Sequence, residues 1–330
     1  MALPLYGYPA PFSDMKNIII LVLVDALIIL ISFIIIYFIK KDKDDIDSTI
    51  KKAKKILSEG RNEDILTLRK KENWSRSLWL EGKPYARLEL GEIAKRAAIN
   101  IPDRKNLAEI YIDDLGWTSV SLEKYSNAKD FLQQGLKCAE QIQDNDDKYY
   151  WSAKAKRHVA GIEVECRNYN EAEKLMEMAT SYCNRIVNEQ KKNEMLAGIY
   201  YGQSIIFLKA SNDKKENLEI ALDYAEKSEM LRKGGDKTRL VKIHSLKGNI
   251  YEAKNDKVNA EEQYRKGLEE SRDRRIDEII KNYLGLARII ENNDEKRQCI
   301  KSAKKLLDKT PVPYLIDEKE MKLIQIHGKE

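Results

Sequence analysis

Cysteine, proline, histidine and charge of one sign are all scarce in this chain, and each scarcity removes a class of protein. Of 330 residues four are cysteine, Cys138, Cys166, Cys183 and Cys299. They form no C-x-x-C pair and no framework of close, even spacings, so an extracellular disulfide scaffold is excluded and reduced, buried thiols in a cytosolic setting are expected. None of the seven prolines lies between Pro102 and Pro311, so the residue that most strongly breaks helices is missing from the middle two hundred positions. The 59 basic and 54 acidic residues are interspersed, which denies the surface the single-sign field that a nucleic acid would need. The basic runs at Arg272 to Arg275 and Lys301 to Lys305 are short and flanked by acids. No nucleic-acid partner is expected.

Catalytic groups are equally sparse. His158, His244 and His327 lie far apart and none sits beside a serine or cysteine in a nucleophile-like context. No two histidines or cysteines are three or four apart, the spacing a metal site on a helix requires. The stretch RKGGDKTRL, Arg232 to Leu240, faintly echoes a phosphate loop, but Asp236 stands directly before its lysine and no strand precedes it. It reads as a turn. The acidic pairs Asp113-Asp114 and Asp146-Asp147 read as solvated. The chain is therefore expected to have no catalytic residues, no metal and no cofactor, and not to be an enzyme.

What is present begins with one long apolar run. From Ile18 to Ile39, 18 of 22 residues are Ile, Leu, Val or Phe. As a helix they would extend about 33 Å, against roughly 30 Å of bilayer hydrocarbon. Insertion gains of about 0.3 to 0.6 kcal/mol per apolar residue exceed the cost of about 3 kcal/mol for the single Asp25. The run passes directly into Lys40, Lys41 and Lys43 without a small-residue cleavage site, so it reads as an uncleaved anchor. Before it Lys16 is the only basic residue, which places the C-terminal bulk in the cytoplasm. The expected order is a short extracytoplasmic stretch 1–16, a transmembrane helix 17–39 and a basic juxtamembrane segment 40–61. Asp25 is the intramembrane polar group, suited to a basic residue of another membrane protein or to its own copy in a homodimer.

Beyond the anchor the chain repeats itself. Between Asn106 and Ile142 two apolar-periodic segments flank a polar turn at Glu123 to Asn127, with Gly116 and Ala128 twelve residues apart. The interval recurs at Ala160 and Ala172, and again at Gly248 and Ala260. Small residues at matched positions let the two helices of a hairpin cross closely. Residues 62–105 read as a degenerate capping hairpin, in which Gly82 and Ala94 keep the interval but Pro84 breaks the first helix. Residues 309–330 form a C-terminal tail.

The residues of 106–308 resemble the tetratricopeptide repeat family. Gly248, Tyr251, Ala260, Tyr264 and Gly267 carry the closest match. Gly202 with Ala221, and Leu284-Gly285, begin weaker copies. Successive copies are 37 to 46 residues apart, which resembles the long-helix members. The resemblance implies an all-α fold, a right-handed solenoid of helical hairpins whose first helices line a concave face. Counted from each small residue, the groove positions of that family fall on Asp113, Trp117, Arg157, Gln203, Lys242, Asn249 and Asn282. Trp117 either anchors a peptide or packs against the next hairpin. The Lys and Asn residues with which one branch grips chaperone tails are mostly missing, since Ser245 stands where a lysine is required. The function implied is a membrane-anchored scaffold or adaptor that binds a protein or peptide at the cytoplasmic face of the cell membrane. The alternative is a peptide-responsive regulator of an effector protein.

Overall fold

A proline-free stretch rich in Leu, Ala, Lys and Glu favours helix on propensity alone. In the computed structural model every regular element among the described residues is a helix. The structure describes residues 45–211, 215–233, 238–271, 275–308 and 324. The expected membrane span 17–39 with Asp25, His327 and most of the tail 309–330 lie outside the described residues. Among the described residues no helix is long and apolar enough to cross a membrane. The chain divides into two units, Met1–Lys52 and Ala53–Glu330. Residues 45–52 of the first are helical.

The second unit contains α1 (Asn62–Lys71), α2 (Trp74–Leu80), α3 (Pro84–Ile99), α4 (Arg104–Glu109), a π-helical segment (Ile110–Trp117) and α5 (Thr118–Ser121). These are followed by α6 (Tyr125–Glu140), α7 (Asn145–Glu165), α8 (Tyr169–Cys183), α9 (Glu189–Lys209), α10 (Lys215–Met230), α11 (Thr238–Ala253), α12 (Lys257–Ser271), α13 (Ile276–Ile289) and α14 (Asn293–Leu307). Each helix packs chiefly on its neighbours in sequence, as hairpins α6 with the helix before it, α7/α8, α9/α10, α11/α12 and α13/α14. The first helix of each hairpin also touches the first helix of the next.

Three hairpin turns share one geometry. Glu123, Arg167 and Asn255 take φ of 57°, 61° and 60°. The following amide donates back across five residues, from Lys124 to Ser119 at 2.9 Å, Asn168 to Glu163 at 2.8 Å and Asp256 to Tyr251 at 2.9 Å. This is the left-handed closure that satisfies the last carbonyls of a helix, and it reverses the chain in the fewest residues. The turn thus occupies Leu122 to Lys124 rather than Glu123 to Asn127, because Tyr125 already begins α6.

The small residues lie where the helices cross. Ala128, Ala160, Ala172, Ala221 and Ala260 have no exposed surface. A Cβ at Gly116 would stand 2.8 Å from the Leu132 side chain, and one at Gly202 2.1 Å from Met176. Tyr264 is held between two glycines, Gly248 of its own hairpin and Gly285 of the next, each leaving a gap that a Cβ would close to 2.4 Å. Its hydroxyl lies 2.6 Å from Asn249 Oδ1 and 2.8 Å from Glu252 Oε2. Tyr251 packs on the same cluster, half-buried.

Three expectations are corrected. Residues 62–105 hold three helices and not a hairpin: Gly82 sits in a turn at φ 67° and Pro84 opens α3, where its missing N–H costs nothing. The acidic pairs are structural. Asp114 is 3% exposed and accepts from Arg69 at 2.7 Å, while Asp147 pairs with Lys105 at 2.6 Å and Lys191 at 2.7 Å. Asp146, in the first turn of α7, accepts from the amides of Val187 and Asn188, tying that turn to the loop before α9. Their partners are some forty residues distant, so local sequence gave no sign of burial. Lastly, Cys138, Cys183 and Cys299 are buried but Cys166 is exposed, because it ends α7 at a turn.

Candidate functional site

The side chains expected to share one groove separate into three groups. Asp113 and Trp117 lie on the π-helical segment, whose wider turn presents neighbouring acids to different partners. Asp114 faces Arg69 of α1 and Arg87 of α3, with Arg87 3.8 Å away. Asp113 turns instead toward α7, where Lys154 Nζ lies 2.6 Å and His158 Nε2 3.8 Å from its carboxylate. Burial alone would raise the Asp113 carboxyl, but the Lys154 ammonium and His158 outweigh it and hold it well below the usual carboxylate range. Trp117 stacks on His158 with ring centroids 4.6 Å apart. The tryptophan therefore packs on the next hairpin. Burial pushes His158 down to about 3, leaving a neutral imidazole under Trp117.

The second group is basic. Arg157 of α7 lies against Gly198 of α9, so closely that a Cβ there would stand 2.1 Å from its Nη1. Lys242 of α11 sits 4.1 Å above the ring of Tyr201, three residues along α9. Arg239, one turn before Lys242, pairs with Glu194 at 2.8 Å, one turn before Gly198. Arg232 reaches the same place, its Nη1 lying 3.4 Å from the Arg239 carbonyl oxygen. Four cations thus surround one stripe of α9. Burial, then the Arg232, Arg157 and Arg275 charges, drive Lys242 well below its ordinary value. Burial, then Arg157 and Arg239, bring Arg232 down to about 10. Arg157 is lowered by burial and by Arg239.

The remaining three are elsewhere. Gln203 borders an open cleft with Glu177, Thr180 and Asn184 of α8. Asn249 accepts from Tyr264 at 2.6 Å and from Arg288 at 3.3 Å, which makes it part of the packing around that tyrosine. Asn282 has no exposed surface and accepts from Ser245 at 3.0 Å. Sequence reasoning missed Lys154, His158, Tyr201 and Arg232. Lys154 and His158 flank Arg157 at helical spacing on one first helix, a signal that was available. Arg232 opens the stretch RKGGDKTRL, whose faint echo of a phosphate loop was read as a turn only.

The start of the last hairpin also contacts α2. Arg275 is the N-cap residue of α13, at φ 65°, pairing with Asp277 at 2.9 Å and Glu278 at 2.9 Å, and its guanidinium covers the Trp79 ring of α2 at 4.2 Å. Tyr201 lies beside this cluster, pushed up to about 12 by burial and by Glu278. Among the described residues no three His, Cys, Asp or Glu side chains are grouped as a metal site. His244 is buried against Gln263 at 2.9 Å and Glu270 at 3.2 Å.

No family model matches this chain. No curated protein matches it either. Among solved structures it is similar to BtubC (BKLC) from P. vanneervenii, over 81% of this chain and 92% of that one, with 14% sequence identity and a TM-score of 0.44. A likeness that distant carries no argument about function.

Proposed function

We propose that the chain is a membrane-tethered adaptor: residues 106–308 form a tetratricopeptide-like right-handed solenoid that takes up a protein or peptide partner, and residues 17–39 hold it at the cytoplasmic face of a membrane. One observation carries the reading. The first helices of successive hairpins lie side by side, and the face they share bears polar and aromatic side chains, among them Lys154, Arg157, Tyr201 and Lys242, instead of an apolar seal. Arrays of this kind use such a continuous face for binding. Tethering would raise the local concentration of a membrane-confined partner without any added contact.

Proximity labelling from the C-terminal end of the full chain in its native host tests this. Cytoplasmic proteins should be enriched over a reporter that carries residues 1–44 alone. Enrichment no greater than the reporter's, or labelling of extracytoplasmic proteins, refutes it.

A second reading is favoured by the Arg275 contact on Trp79, which joins the start of the last hairpin to α2, ahead of the array. A regulator that opens or closes on a peptide would use such a latch. A small-angle scattering profile left unchanged by Trp79→Ala removes that reading.

A further inference from the structure

We propose that Arg157, Arg232 and Lys242 form a binding site for a phosphate-class oxyanion, free phosphate or a phosphomonoester, on the stripe of α9 around Gly198 and Tyr201. The inference stands apart from the adaptor reading, since a small anion can occupy this place whether or not a protein does.

The geometry converges from three helices and a turn. Arg157 comes from α7 and rests on Gly198, where the missing side chain admits the guanidinium against the helix backbone. Lys242 comes from α11 and sits over Tyr201 at 4.1 Å. Arg232 follows α10 and hydrogen-bonds to the Arg239 carbonyl at 3.4 Å. Gly198 and Tyr201 are three residues apart and so share one face of α9. The three cations therefore meet over a single patch.

The acids nearby are already engaged. Glu194 is bound to Arg239 at 2.8 Å, and Glu278 to Arg275 at 2.9 Å and Lys281 at 3.7 Å. Among the described residues no carboxylate pairs with Arg157, Arg232 or Lys242. The Nε atoms of both arginines are buried without a hydrogen-bond acceptor. A buried donor left unmet is costly. All three side chains keep intermediate exposure, so a small solute can reach them.

The number and type of donors select the ligand. Two planar guanidinium forks and one ammonium match an anion with several oxygens and two charges better than a carboxylate with two oxygens and one. Lys242 is depressed first by burial and then by the Arg232 and Arg157 charges, and that repulsion falls when such a dianion enters.

The test is a melting titration of the full chain in detergent micelles with inorganic phosphate, against sodium acetate and sodium chloride at equal ionic strength. Phosphate should raise the midpoint saturably, and acetate should not. Lys242→Met and Arg232→Gln should each weaken the response roughly tenfold, about the worth of one charge-assisted hydrogen bond, and Lys242→Arg should keep it. Without phosphate, Lys242→Met should melt at or above the wild-type midpoint, because it removes a repelled charge, so its lost response is not unfolding. Glycerol 3-phosphate as a second probe distinguishes the sources: a tighter response assigns an ester, an equal or weaker one free phosphate. Phosphate acting no differently from chloride, acetate matching phosphate, or both variants responding as wild type would each overturn the proposal.

Discussion

Gly285→Ala should destabilise the second unit by about 2 kcal/mol, although alanine is the better helix former. The added Cβ would stand 2.4 Å from Cζ of Tyr264 and 2.6 Å from Cε1, distances that no carbon pair tolerates. The ring has little retreat: moving away from Gly285 carries it toward the backbone of Gly248, where a Cβ would already stand 2.4 Å from it. Its hydroxyl is fixed as well, 2.6 Å from Asn249 Oδ1 and 3.3 Å from Arg288. Overpacking of a tight core costs about 1 to 3 kcal/mol, and this enclosure puts the site near the upper end. Replacing glycine in a helix interior returns about 1 kcal/mol, which leaves the net loss near 2 kcal/mol.

Gly161→Ala is the matched control. It lies within α7 and a Cβ there meets nothing within 4 Å, so only the helix term remains and stability should rise by about 1 kcal/mol. Urea unfolding of the full chain in detergent, followed by tryptophan fluorescence, reads both signs. Adding Tyr264→Leu to Gly285→Ala should relieve the clash, so that the pair costs at least about 1 kcal/mol less than the sum of the two single changes. A Gly285→Ala protein as stable as wild type, or strictly additive costs, would refute the nesting of Tyr264 between hairpins.

Other variants probe the buried charges and turns. Asp114→Asn strips the carboxylate that Arg69 and Arg87 share and should cost about 3 to 5 kcal/mol, with amide exchange quickening across 62–99; a loss under about 1 kcal/mol would mean these guanidinium groups are satisfied otherwise. His158 is neutral in the fold down to about 3 but takes a proton near 6.5 once unfolded, so its contribution is complete above pH 6.5 and is lost as pH falls toward 3. Wild type should forfeit about 2 kcal/mol from this residue between pH 8 and pH 5, and His158→Phe, which keeps a ring under Trp117, should lose correspondingly less over that range when unfolding is measured at both pH values. Arg167→Gly should stabilise by about 1 kcal/mol, because an exposed residue with a Cβ is held at φ 61° there; an unchanged urea midpoint argues against that strain.

The helices and their crossings were legible because packing repeats locally. Pairs of small residues twelve apart within a hairpin, with Tyr264 four after Ala260, state where two rods can approach, and the structure puts Gly116, Gly202, Gly248 and Gly285 at such approaches. Groove positions were less legible. Carrying them along at a fixed offset assumes that every first helix winds alike, and the π-helical segment from Ile110 to Trp117 does not. Asn249 and Asn282 were drawn inward by neighbours from other hairpins, Tyr264 and Ser245, which no local pattern announces. The partners of Asp114 and Asp147 are likewise distant in sequence, so their burial had no periodic trace.

The charges on the first helices make sense only when sorted by partner. Asp113 to Lys154 joins the first helices of two hairpins, Glu194 to Arg239 joins two more, and Arg275 with Asp277 and Glu278 completes a closed set near Trp79. The first two tie adjacent hairpins and the third closes the start of α13, so each has a structural explanation. Arg157, Arg232 and Lys242 have no carboxylate partner of this kind among the described residues: burial and then neighbouring positive charge depress them, and the Nε atoms of both arginines are buried unmet. A fold selected for stability alone gains by replacing Lys242 with methionine, which fills the space over Tyr201 without the repelled charge. A lysine in such a place, half-buried and on the face shared by successive hairpins, fits the oxyanion site proposed above.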